Sequence, residues 1–240
     1  MRTKKLARIL LAAFLSTGLL LGGIPTAYAA DATVYDETEL RAALAAPGDT
    51  HNITLGADIT TADGIYISGK TVNFNLGEFD LNIVAADDAL SVANATVTIN
   101  GTTGTLNVQG GHHGVLATGT SSVTVTNAKV TDTALEADAY AVRAYDGSDI
   151  VVKGNVVAEG SADGVTAIQA GSSVIVEGNI TSANGTGAVA CYGAVIDITG
   201  NVNSAGGQGL LSDNGVINID GDVAAPSGCG ACGTTSSRAA

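Results

Sequence analysis

The sequence predicts an all-β fold: a single-stranded right-handed parallel β-helix, or solenoid, of about seven rungs with a short N-terminal capping helix. Three observations carry this reading. A small residue opens a row at positions 64, 89, 114, 141, 164, 187 and 209, at steps of 22–27 residues. Each row then holds two short segments in which every second residue is apolar or small, the period of a half-buried strand. Between those segments stands a Gly, Asn or Ser, the residues that turns favour. A row this short cannot bury a core alone, so it must stack on its neighbours and share one apolar column with them.

The chain divides in order. Residues 1–29 read as a signal peptide: Arg2, Lys4, Lys5 and Arg8 make a positive start, an apolar run follows, and Ala27-Tyr28-Ala29 offers small residues for cleavage. The apolar run is too short and wrongly flanked for a stable membrane span, and no second one follows, so no transmembrane segment is expected in the mature chain. Residues 30–60 read as an N-terminal cap and first strand. Asp36-Glu37-Thr38-Glu39 places acids in a first helical turn, and Leu40, Ala43 and Leu44 follow at helical spacing. Such a helix would cover the rung begun by Ile53, Leu55 and Ile59 and shield its open strand edges.

Residues 61–223 carry the repeats. The first segments place Ile65/Ile67, Leu90/Val92, Val115/Ala117 and their successors inward. The second segments do the same with Val72/Phe74, Val97/Ile99, Val123/Val125, Ile150/Val152 and Val174/Val176, while neighbours such as Asn73, Thr98 and Thr124 are polar. In the later rows a third element recurs at Gly154-Asn155-Val156, Gly178-Asn179-Ile180, Gly200-Asn201-Val202 and Gly221-Asp222-Val223. Two readings stay open for Asn155, Asn179 and Asn201. They form a ladder inside the corner, bonded layer to layer, or they make plain Gly-Asn turns. At about 4.8 Å per layer, seven rows give a stack roughly 34 Å long. Residues 224–240 read as an incomplete rung or disordered tail, because TTSSRAA has no strand period. That end invites further C-terminal rungs or a capping partner.

Charge and cysteine usage narrow the function classes. The mature segment keeps six basic and 23 acidic residues, a net charge of about −17. Nucleic acid and anionic membrane both need basic patches, so neither is an expected partner. A hydrophobic content of 45% argues against disorder. The cysteines are Cys191, Cys229 and Cys232, an odd number that leaves a thiol unpaired within the chain. Cys229 and Cys232 have CxxC spacing, but no second pair completes a zinc site. The pair reads as incidental or as a disulfide, and no metal ligands are assigned.

The row pattern G-apolar-x-apolar…G-S-x-V-x-V-x-G-N-V, over most of residues 53–223, resembles the right-handed, pectate-lyase-like β-helix superfamily. It specifies architecture far better than activity. The residue before each row's opener reads Asp63, Asp88, His113, Tyr140, Asp163, Thr186 and Gln208, a column expected along one outer edge. The stretches Thr61-Ala62-Asp63, Asp87-Asp88, His112-His113-Gly114 and Arg143-Ala144-Tyr145 resemble the active-site motifs of polygalacturonase-type glycoside hydrolases. That resemblance implies Asp88 as the acid, Asp63 and Asp87 as the pair activating water, His113 beside them, and Arg143 as a binder of substrate carboxylate. Two carboxyl groups at a set separation are what glycoside hydrolysis requires. The first motif lacks its Asn and the last its Lys. The connections are short, leaving no long loops to wall a cleft. Asp163-Gly164 repeats the corner outside the matched set, as turn chemistry alone would. A lyase would need an Arg or Lys base beside calcium-binding carboxylates, and the six basic residues are scattered. Asp63, Asp87 and Asp88 offer hard oxygen ligands for weak calcium binding, and no other cofactor is expected. Tyr140 and Tyr145 are candidate sugar-binding rings, or rings packed at corners with their hydroxyls in water.

The sequence therefore points to an exported scaffold without catalysis, secreted or at the cell surface, adhesin-like or glycan-binding. Its expected partner is a polysaccharide or cell-surface glycan. The competing class is a glycoside hydrolase (or lyase) acting on acidic polysaccharide such as pectin through Asp63, Asp87, Asp88 and His113. Fold alone does not decide between them.

Overall fold

A rung of this protein visits three sheets and returns one layer on. In the computed structural model, which describes residues 29–101, 103–131, 138–233 and 237–239, the strand Thr71–Asn75 lies in sheet 1, Leu81–Val84 in sheet 2 and Leu90–Ala93 in sheet 3. Thr96–Asn100 then lies beside Thr71–Asn75 in sheet 1, in parallel. Among the described residues, repetition gives sheet 1 ten strands and sheets 2 and 3 eight each, about nine turns of parallel solenoid with a single helix. No helix among the described residues is long and apolar enough to cross a membrane.

The apolar columns lie where the period-two pattern puts them. Val97, Val123, Ile150 and Val174 are register partners in successive layers of sheet 1 and are all buried. Val92, Ala117, Ala144 and Ala167 form the matching column of sheet 3. The return from sheet 3 to sheet 1 turns on one left-handed residue or more per rung, such as Gly69, Asn94 and Gly119. Behind that turn stand the buried hydroxyls of Ser121 and Ser148, which donate to the turn carbonyls of Thr118 and Tyr145 at 2.6 Å. A buried hydroxyl without such a partner would be costly.

The solenoid is longer than the seven predicted rungs. The strand Ala29–Val34, ahead of the helix, pairs with Thr50–Leu55 and extends sheet 1 at the front. At the other end, where the sequence suggests an incomplete rung or a tail, Val223–Ala224, Ala231–Gly233 and Ser237–Ala239 add one strand to each sheet. The sheet 2 strand also recurs in eight successive layers, including Ile59–Thr61, Leu81–Val84 and Leu106–Gly110, where no Gly-Asn pair marks it.

The capping helix spans Glu37–Ala45. Asp36 is its N-cap and accepts the Glu39 backbone N–H at 2.9 Å, satisfying one orphan donor of the first turn. Leu40 is fully buried against the first rung. The helix is pinned at its far end by His51, whose two ring nitrogens lie 3.0 Å from the Ala43 and Gly48 carbonyls. Residues 1–28, which hold all but the last residue of the expected signal peptide, lie outside the described residues.

The asparagine column exists, but on the outside. Asn155, Asn179 and Asn201 are exposed, and each side-chain oxygen accepts the backbone N–H of the next layer, at Asn179 (2.9 Å), Asn201 (2.9 Å) and Asp222 (2.8 Å). The link is side chain to main chain, not amide to amide. The glycine before each asparagine is there for space. A Cβ on Gly178 would collide with the Gly154 carbonyl one layer below.

Candidate functional site

The corner between sheets 2 and 3 gathers the residues singled out by sequence, though not on one outer edge. Pairing places His113 beside Tyr140, and Tyr140 beside Asp163. Val115 beside Leu90, and Leu90 beside Ile65, put Asp88 and Asp63 in the layers below. The side chains diverge. Asp63 is exposed, whereas His113 and Tyr140 turn inward and are buried.

His113 is the centre of the cluster. Its Nδ1 lies 2.6 Å from Asp88 Oδ1, and the neighbouring His112 Nδ1 lies 3.3 Å from the same oxygen. Asp87 Oδ1 stands 3.7 Å from His112 Nδ1, on a side chain that is 88% exposed. Main-chain bonds hold the two corners together: Gly111 N–H donates to the Asp87 carbonyl at 2.9 Å, and Ala89 N–H to the His113 carbonyl at 3.0 Å. Tyr140 stacks on the His113 ring with centroids 5.6 Å apart and planes 15° apart, and the Arg143 guanidinium sits 4.8 Å from the Tyr140 centroid. Burial holds the His113 imidazole below its usual range, with Asp88 pulling the other way. Burial likewise pushes the Tyr140 hydroxyl up to about 12, opposed by Arg143 and assisted by Asp138. One layer on, Asp163 is raised by burial, although the Thr186 N–H donates to it at 2.6 Å.

This arrangement assembles only part of the set implied by the glycosidase motifs. Asp88 and His113 meet. Asp63 does not join them; its carbonyl instead accepts Arg41 Nη2 of the capping helix at 2.7 Å. Arg143 packs on Tyr140, and its Nε is buried without a partner. A carboxylate that orients a histidine is half of a general-base pair. The remaining nitrogen, His113 Nε2, is buried with no hydrogen-bond partner. Tyr140 turns inward with this corner and is buried against the His113 ring and the Arg143 guanidinium. Tyr145 is 37% exposed at the far end of its strand, and Tyr66 is 69% exposed on the same sheet.

The outer face of sheet 2 forms a groove of about 430 Å³. Its floor is a row of amides: Asn107 Nδ2 donates to Asn82 Oδ1 at 2.9 Å, and Asn127 Nδ2 to Asn107 Oδ1 at 2.8 Å. Asn127 Oδ1 then accepts the Asn155 N–H at 2.9 Å, joining this row to the exposed ladder above. Gln109 and Lys129 line the groove beside the row, and Lys129 pairs with Glu159 at 2.8 Å. A primary amide has two N–H donors and two acceptor positions. Asn127 spends one of each on the ladder, and Asn82 spends one acceptor, so both keep polar capacity facing the groove.

A family model described as the right-handed beta helix region matches residues 52–224. The chain belongs to the right-handed β-helix family. No curated protein and no solved structure matches it.

In this β-helix the residues that sequence reasoning missed are His112, the partner of both acids, and the amide row Asn82, Asn107 and Asn127. His112 was visible as half of a His-His pair, but only the layer below supplies its partners. The amides carried a usable signal: an asparagine recurs at steps of 25 and 20 residues, each directly before an apolar residue, Ile83, Val108 and Ala128.

Proposed function

We propose that this β-helix is an exported scaffold without catalytic activity that binds extended, uncharged glycan chains along the groove of sheet 2 at or beyond the cell surface. The observation that carries the reading is the amide row Asn82–Asn107–Asn127. It runs along a groove crossing successive layers and retains unspent donors and acceptors of the kind sugar hydroxyls pair with. A charge of about −17 over the mature segment disfavours polyanions such as pectate by simple repulsion. The buried Nε2 of His113 and the isolation of Asp63 speak against hydrolysis. Targeting outside the cell rests on the basic and apolar start of the chain.

The test is affinity electrophoresis and calorimetry with soluble neutral polysaccharides and with polygalacturonate, beside a reducing-sugar assay. The expected result is retardation by at least one neutral chain, weakened by Asn127→Ala, with no release of reducing ends. Turnover abolished by Asp88→Asn would establish the hydrolase instead, and absence of binding across the panel would remove the glycan role.

A further inference from the structure

We propose that Asp88, His112 and His113 form a three-ligand site for one divalent transition-metal ion of the zinc class, clamping two successive rungs of the coil. One donor atom from each residue lies within 4.8 Å of the others. Two imidazoles and a carboxylate are the donor set of such ions, whereas calcium and magnesium take oxygen. Metal–ligand bonds of about 2.0–2.2 Å in a tetrahedral site put donors roughly 3.3–3.5 Å apart. His112 Nδ1 and Asp88 Oδ1 already stand at 3.3 Å, while His113 Nδ1, at 2.6 Å, has less than about 1 Å to yield.

The surroundings suit an ion. His113 is held in plane by its stack on Tyr140. His112 and Asp88 keep side-chain exposures of 22% and 33%, which leaves a way in from solvent. Asp87, exposed and 3.7 Å from His112 Nδ1, is placed to give a fourth ligand; otherwise water takes that position. The acids lie on one rung and the histidines on the next, so an ion adds a tie between layers to the main-chain bonds and the side-chain contacts with Asp88. The ligands come from different layers, so no motif of fixed spacing announces them.

The test uses the untagged full chain under non-reducing conditions, which keep the Cys229–Cys232 disulfide closed so that no thiol pair competes for metal. It is stripped with chelator and titrated with Zn²⁺, Co²⁺ and Ca²⁺ under calorimetry and thermal unfolding. The expected result is one Zn²⁺ per chain, a midpoint that climbs with free Zn²⁺, a visible Co²⁺ spectrum and no comparable response to Ca²⁺. His112→Gln and Asp88→Asn, both at partly exposed positions and checked for fold by circular dichroism, should weaken affinity by more than the roughly 10–100-fold lost with an outer hydrogen-bond partner. No saturable binding, binding that survives both substitutions, or Ca²⁺ held as tightly as Zn²⁺ overturns the assignment.

Discussion

The asparagine column contains two kinds of hydrogen bond, and a single chemical change separates them. In its upper half, Asn179 Oδ1 only has to accept the Asn201 N–H at 2.9 Å. A carboxylate does this equally well, as Asp80 shows by accepting the Thr105 N–H at 2.8 Å. Asn179→Asp is therefore expected within about 0.5 kcal/mol of the parent, the usual range for a surface substitution. Asn179→Ala removes the acceptor, and water replaces it in part, for a loss of roughly 0.5–1.5 kcal/mol. In the lower half, Asn107 Nδ2 must donate, to Asn82 Oδ1 at 2.9 Å and to Thr105 Oγ1 at 2.8 Å. Asn107→Asp loses both donors. Rotation of the Asn82 amide recovers one, but the Thr105 hydroxyl already gives its hydrogen to Asp80 at 2.6 Å. The new charge then faces an oxygen with nothing to offer. Hydrogen bonds worth about 1 kcal/mol each, plus that repulsion, give a cost of about 1–3 kcal/mol. In a domain of this size each kcal/mol moves the thermal midpoint by about 2–4 °C. Calorimetric or circular-dichroism melts of the three variants should rank Asn179→Asp nearest the parent, Asn179→Ala next and Asn107→Asp lowest. Equal damage from the two aspartates, or a silent Asn107→Asp, would refute the division of the column.

Gly178→Ala should cost about 1–3 kcal/mol, the usual range for overpacking, because its Cβ meets the Gly154 carbonyl and not a side chain that can move away; a melt unchanged from the parent would show that the layers part easily. Asp163→Asn should raise the midpoint at pH 7, since burial lifts the folded-state pKa of this carboxyl above its unfolded value. Such a group favours folding below the unfolded pKa and loses that contribution as pH rises through the folded one, so the advantage of the amide must shrink as the melts are moved toward pH 3.8. An advantage that instead grows in acid would contradict the sign.

Much of the fold could be read from the chain because a coil reports its period. The seven openers and the alternation in segments such as Val97–Ile99 and Ile150–Val152 fix which residues face inward, and register partners confirm them layer by layer. The front strand Ala29–Val34 was invisible because AADATV has little β preference of its own; it is made by pairing with Thr50–Leu55. The early strands of sheet 2 were missed because Leu81–Val84 and Leu106–Gly110 carry no Gly-Asn marker. The site was harder. Alternation restarts at every corner, so the direction of the residue just before a strand is not set by the parity of that strand. The column Asp63, Asp88, His113, Tyr140 is real as a register, yet it passes from solvent to interior as it climbs.

What a column can do depends on what stacking leaves unspent. Between Asn155 and Asp222 each side-chain oxygen meets the N–H above it on exposed residues, so that stretch is a structural seam. The stretch from Asn82 to Asn127 is the same column some layers lower, but there the amides bond one another, and the floor they make keeps donors and acceptors in reserve beneath about 430 Å³ of space. The corner at His113 differs again. Its polar atoms converge on the single oxygen Asp88 Oδ1, and the donor atoms of Asp88, His112 and His113 lie close enough together for one small cation to sit among them. The two proposals therefore rest on different surpluses, hydroxyl-matching capacity in sheet 2 and ligating capacity at the corner. Asn127→Ala should leave metal uptake intact, and His112→Gln should leave glycan retardation intact. Loss of both properties in either variant would mean that a local unfolding of the rungs had been measured in place of a site.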